Sequence, residues 1–215
     1  MRPILLNSML SKKDFERIVR EMSKLRGGDA VEFLRKTSPW FDPLEPTIRR
    51  ISEILRETGV LYVLHGFRAL PLYGVPYISK EIGFAIKSEG GGLESRLRER
   101  GFQKLSGGLE ESTFLDLQNN KVFKFLSKPR PLEWDDELVK RIREREGIRI
   151  LSTEDYIVSL VAAKPSTMRL ELAAKVIYSN MDELDRGYLE EKAAKLSVDG
   201  VIKSLISGLE EVSSR

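Results

Sequence analysis

The chain has 215 residues, a formal net charge of +3 and no cysteine. That composition excludes a disulfide-stapled secreted scaffold and a cysteine-type zinc site, and no apolar run approaches the roughly 20 residues of a membrane-spanning helix. The N-terminus shows no cleavage site of small residues, so a cytoplasmic protein without a membrane partner is expected. Few amides (Gln103, Gln118 and four asparagines) and 32% charged residues fit a thermophile.

In chain order, residues 11–25 read as an amphipathic helix. Phe15, Ile18, Val19, Met22 and Leu25 form one stripe, and Ser11 and Asp14 have capping-box spacing. Gly27 and Gly28 end it, and a short helix is expected over 29–36. Residues 37–46 hold Pro39, Pro43 and Pro46 and read as a linker carrying Trp40 and Phe41. A helix over 47–58 turns Ile48, Ile51, Ile54 and Leu55 inward and stops at Gly59. Residues 60–65 form a buried strand by composition, and Gly66 opens a turn into a short helix. Residues 80–87 alternate, with Ile82, Phe84 and Ile86 on one face and Glu81, Gly83 and Ala85 on the other. Gly90 to Gly92 connect to a helix ending near Arg100. Residues 113–118 and 121–126 flank Asn119 and Asn120, a tight hairpin turn because asparagine tolerates positive φ. Beyond Asp135 only helices are expected, over 135–146, 153–163, 168–179, 186–196 and 199–210, with Ser152 and Asp155 again at capping-box spacing.

This order predicts an α+β fold with a small mixed sheet. Its parts are a helical extension and linker (1–44), an α/β core (45–130) and a helical region (131–215). Charge divides along similar lines. Residues 1–130 hold 23 basic and 16 acidic side chains, a net of +7, and residues 131–215 hold 13 and 17, a net of −4. The basic part suits a phosphate-bearing partner, or simply solvates the fold as a mixed Lys/Glu surface.

The segment YVLHGFRALPLYGVPYISKEIGFAI, Tyr62 to Ile86, resembles the nucleotidyltransferase superfamily. The nearest likeness is to small prokaryotic members of toxin–antitoxin and abortive-infection systems. There a strand ends in glycine, then glycine or serine, any residue, and alanine. A later glycine, an arginine and a threonine precede a strand carrying Asp-x-Asp. Gly66, Ala69 and Gly74 match, Ser79 stands for the threonine, and Ile82 for the residue between the acids. Residues 150–163, ILSTEDYIVSLVAA, resemble that family's helix after the sheet. The likeness covers residues 45 to 210, and it is carried by the joint spacing rather than by one short motif.

The resemblance implies a nucleotidyltransferase-type sheet. Nucleotidyl transfer uses two Mg²⁺ ions that clamp the attacking and leaving oxygens. Magnesium takes hard oxygen ligands, and two acids at i and i+2 on a strand share one face. A third acid usually stands on a neighbouring strand, and the glycine turn lets backbone donors approach the triphosphate. On this likeness Gly66, Phe67, Arg68, Ser79, Lys80 and Lys124 are the candidate nucleotide-binding residues.

The chain departs from that pattern where the chemistry sits. The first acid is Glu81, the second is Gly83, Phe67 replaces a small turn residue, and Tyr77 stands at the arginine position. Lys124 stands where the third acid is expected, and Asp116 is the only nearby substitute. Glu81 is the remnant metal ligand, if there is one, or else a strand-edge carboxylate paired with Lys124. Lys124 would then neutralise Glu81 and fill the metal's place. His65, the only histidine, is a pocket contact or a neutral strand-end residue. Arg68 holds a phosphate or pairs with a C-terminal acid. Trp40, Phe41 and Trp134 stack on bases or pin elements together.

Three functions follow. The chain binds nucleic acid, a nucleotide or a partner protein on a scaffold that has lost metal-dependent transfer, and then needs no cofactor. It is an active Mg²⁺ enzyme using Glu81, Asp116 and a carboxylate from a partner chain. Or it is a structural subunit that meets a partner, or itself, through residues 1–44.

Overall fold

A computed structural model describes residues 10–23, 28–38, 42, 44–77, 79–87, 92–164 and 166–214. Trp40, Phe41, Gly90 and Gly91 lie outside them. The chain divides into two compact units. One comprises residues 34–72 and 76–152, and the other residues 1–33, 73–75 and 153–215.

The first unit is built on a five-stranded mixed sheet. Its strands are β1 (Tyr62–His65), β2 (Ile82–Ile86), β3 (Phe102–Gly107), β4 (Glu111–Asp116) and β5 (Lys121–Leu126), in the spatial order β1-β2-β5-β4-β3. β2 and β5 run parallel and the other neighbours antiparallel. Ile82, Phe84, Phe114, Phe123 and Phe125 alternate onto one face and are buried. Their rings make edge contacts at 5.3–6.2 Å between centroids, and Phe114 stacks on Phe123 at 5.5 Å. Helices α3 (Pro46–Glu57) and α4 (Leu93–Glu99) belong to this unit. Pro46 opens α3, where its missing N–H costs nothing, and Gly59 ends it at φ +68°. After Gly66, also left-handed at φ +78°, residues Phe67–Tyr73 wind as a 3₁₀ helix that contains Pro71.

The structure adds one element and corrects another. β3, a stretch for which the sequence predicts no element, forms the sheet edge. Its residues after Phe102 are exposed, so they lack the apolar alternation that marks a half-buried strand. The helix expected over 135–146 stops early, as α5 (Asp136–Lys140), and a hairpin of β6 (Arg143–Arg145) and β7 (Ile148–Ile150) follows. Glu146 and Gly147 sit at φ +52° and +77°, as a two-residue hairpin turn requires, and Ile148 and Ile150 turn into the core. The Asn119–Asn120 turn forms as expected, with Asn120 at φ +51°.

The second unit is helical. α1 (Lys12–Ser23) packs against α7 (Thr167–Ser179) and α9 (Asp199–Ser213), with α6 (Thr153–Ala162) and α8 (Arg186–Lys195) completing the bundle. α2 (Gly28–Thr37) follows α1 in the chain. Ser11 and Asp14 cap α1 reciprocally: the Ser11 N–H donates to Asp14 at 2.8 Å and the Asp14 N–H to the Ser11 hydroxyl at 3.3 Å. Phe15, Ile18 and Met22 are the buried stripe of α1, and Arg17 forks onto Glu171 of α7 at 2.8 Å. The Phe15 ring lies over Gly208 so closely that a Cβ there would meet it at 2.5 Å. Glu154 and Asp155 open α6 fully buried; Glu154 accepts the Asp185 N–H at 3.0 Å and Asp155 the Tyr188 hydroxyl at 2.9 Å.

Candidate functional site

The sheet has a second face, and its chemistry is set by register. Gly83 pairs with Lys124 on β5, and Lys124 pairs with Thr113 on β4. Paired residues of adjacent strands point to the same side, and so do residues two apart along a strand. Glu81, Gly83, Lys124, Thr113 and Glu111 therefore share one face, opposite the phenylalanine core. Glu81 and Lys124 are exposed, and Glu111 and Thr113 half-buried.

Lys124 occupies the middle of this face. Its ammonium lies 2.8 Å from the Glu111 carboxylate, and its side chain stays 49% exposed. Glu111 holds the lysine's pKa above its ordinary value through a hydrogen bond and charge, and Glu81 adds to the shift through charge alone. Glu111 is the functional candidate that sequence reasoning missed. It follows Gly107-Gly108-Leu109-Glu110, and without a strand assigned at residues 102–107 nothing fixed its face.

Gly83 lacks a side chain for no steric reason. Its backbone is not left-handed, and an added Cβ would meet only the His65 carbonyl oxygen, at an ordinary 3.6 Å. His65 ends β1 directly opposite Gly83.

Asp116 lies elsewhere. It stands three residues from Thr113, hence on the core face, and it is fully buried. Thr47 of α3 donates to it at 2.9 Å, the Asn119 amide at 2.7 Å and the Gln118 N–H at 3.0 Å, and the Arg50 guanidinium forms a short ion pair with it. Burial by itself would raise this carboxyl's pKa, but the donors outweigh burial and hold it below the ordinary range. Arg50 also stacks on Phe102 at 4.5 Å and donates to the Arg100 carbonyl. Asp116 is thus the pin joining α3 to the β4–β5 turn. Glu81 and Asp116 point away from each other across the sheet, so they do not share an ion.

The other candidates divide in the same way. Arg68 is only 5% exposed; it donates to the Asp42 carbonyl at 2.7 Å and the Ser79 carbonyl at 3.0 Å, and it lies 3.5 Å from Glu45. It clamps the loop before β2, and its acid partner is Glu45 rather than a C-terminal one. Phe67 packs edge-on against Tyr77 at 5.8 Å. The Ser79 hydroxyl accepts the Glu81 N–H at 3.1 Å, which fixes the approach to β2. Lys80 is exposed beside Glu81. The Trp134 indole donates to the Ser127 and Ile86 carbonyls, at 2.8 and 3.3 Å, and so ties together the ends of β5 and β2.

A two-metal centre needs several carboxylates converging on one place. This face offers Glu81 and Glu111, no side chain at 83, and an ammonium at 124. Among the described residues no three Asp, Glu, His or Cys side chains form a cation-holding group. The residues present do not fit such a centre. Nor, among the described residues, is any helix long and apolar enough to cross a membrane.

No family model matches this chain, and no curated protein matches it. Among solved structures it is similar to a candidate nucleotidyltransferase from Helicobacter pylori, at 17% identity over 78% of this chain and 95% of that one, with a TM-score of 0.44. It is also similar to the antibiotic-resistance factor ANT(2'')-Ia, at 15% identity over 76% of this chain and 93% of that one, with a TM-score of 0.45. A structure of ANT(2'')-Ia in complex with adenylyl-2''-tobramycin gives 14% identity over 70% of this chain and 95% of that one, again at 0.45. At these TM-scores the likeness carries no functional weight.

Proposed function

We propose that this chain has a nucleotidyltransferase-type sheet that does not perform Mg²⁺-dependent nucleotidyl transfer and works by binding. A nucleotide or nucleic acid is favoured over a partner protein, because the first 130 residues carry a net of +7. The support for the sheet type is the chain's own order: a strand followed by Gly66, a short helix, and then β2 laid parallel to β5. The observation that carries the loss of transfer is the pairing of Gly83 with Lys124. Two positions where the resemblance asks for acids hold a glycine and a cation, side by side.

The rival reading, an enzyme rearranged around Glu81 and Asp116, is disfavoured by the opposite faces of those two residues. Assembly through the N-terminal helices is disfavoured for α1, whose apolar stripe is already buried against α7 and α9. The deciding measurement incubates the full chain with labelled nucleoside triphosphates, Mg²⁺ and a pool of nucleic-acid and protein acceptors. No label is expected to transfer. Transfer that disappears in Glu81→Ala would overturn the proposal.

A further inference from the structure

On the open face, one row of paired residues crosses the sheet at the level of Gly83. His65 of β1 stands opposite Gly83, and Lys124 of β5 stands beside it. Neighbouring strands lie about 4.8 Å apart, so His65 and Lys124 flank Gly83 at a separation of roughly 10 Å at the backbone. Gly83 leaves a trough between them: within 4 Å, a Cβ there would meet only the His65 carbonyl oxygen. The trough ends at Val63 and Ala85, the next pair on this face, which have no solvent exposure. A gap of that width admits a phosphoryl group with a donor on either side. The imidazole offers an N–H in either charge state, and the Lys124 ammonium offers three.

We propose that His65 and Lys124 form a metal-independent seat over Gly83 for the polyphosphate of a nucleotide, with Glu111 as its internal competitor. Glu111 holds the Lys124 ammonium at 2.8 Å, but the two side chains are 39% and 49% exposed, so a ligand displaces the carboxylate at little cost. Displacing Glu111 asks for more negative charge than one carboxylate carries. The ligand class is therefore a polyphosphate rather than a carboxylate or the phosphodiester of a nucleic acid. The inference rests on the proposed function for the class of partner, a nucleotide. The transfer assay reports on turnover and a binding titration in EDTA reports on the seat, so either can fail alone.

The test is calorimetric titration of the full chain with inorganic tripolyphosphate in EDTA. Wild type is expected to bind without added metal. Lys124→Met and His65→Phe should each weaken binding by about tenfold or more, as loss of a hydrogen bond to a charged group does. His65→Gln, which keeps an N–H donor, should weaken it less. Gly83→Val suits a strand but fills the trough, so it should abolish binding while the unfolding midpoint holds. Gly83→Ala, whose Cβ fits at 3.6 Å, serves with a smaller loss if the valine variant folds poorly. Glu111→Gln frees the ammonium and should tighten binding by up to about fivefold. Lys104→Met, which breaks the exposed Lys104–Glu94 pair (2.7 Å), is the control and should bind as wild type does. The proposal is overturned if wild type does not bind in EDTA, if the Gly83 variants bind as wild type, or if Glu111→Gln weakens binding. It is equally overturned if Lys104→Met loses as much as Lys124→Met, or if an oligonucleotide binds through these residues more tightly than tripolyphosphate.

Discussion

On the core face of the sheet, Asp116 has no solvent exposure and is met by Thr47, Arg50, Asn119 and the Gln118 N–H. On the open face, Glu81 and Glu111 lie near solvent, and Glu111 pairs with the ammonium of Lys124. Asp116 and Glu111 stand on the same strand, β4, yet only the open face leaves a carboxylate within reach of a ligand. A carboxylate whose lone pairs are all satisfied inside the fold is part of the fold. Availability, not residue type, separates a candidate site from a structural pin.

The largest effect that would test this contrast is at Asp116. Asp116→Ala strands the Arg50 cation and the Thr47 hydroxyl, and removal of one partner of a buried pair costs about 3–5 kcal/mol. Urea unfolding should show that loss. A drop under about 1 kcal/mol would mean that Asp116 is no pin.

The acid limb of stability provides a second test. The Asp116 pKa is depressed in the folded state, so its contribution is complete above the unfolded value of about 3.9 and is lost as pH falls through the lower folded value. Wild type should therefore be more stable than Asp116→Asn at neutral pH, and the gap should narrow as pH drops below about 4. A gap that stays constant with pH would show that the charge on Asp116 contributes nothing.

The smallest effect is expected on the open face. Glu81→Gln changes an exposed carboxylate, and exposed pairs contribute about 0–1 kcal/mol. Its unfolding midpoint should sit within error of wild type. A loss comparable to that of Asp116→Ala would erase the contrast between the two faces.

Much of the fold was legible locally. Ser11 with Asp14, Pro46, Gly59 and Asn120 act through their own backbone or their nearest neighbours, and each does what its residue type allows. The alternation of Ile82, Phe84 and Ile86 put Glu81 and Gly83 on the open face before any partner strand was known. The elements that went unread lacked a local signature. β3 is exposed after Phe102, and the Glu146–Gly147 turn lies within a charged run that reads equally well as helix. Glu111 went unread for the same reason, because its value comes from a diagonal neighbour on another strand.

The sequence by itself determined the α+β class, the strand that follows Glu81 and carries Gly83, and the glycine and lysine at positions 83 and 124. Those properties depend on residue identity and short spacings. Only the tertiary structure decided that Lys124 stands beside Gly83, that Glu111 joins it, that Asp116 faces the opposite way and that Arg68 is spent on backbone carbonyls. Each of these depends on strand register or on contacts between residues far apart in the chain. A shift of one residue in register would have exchanged the two faces.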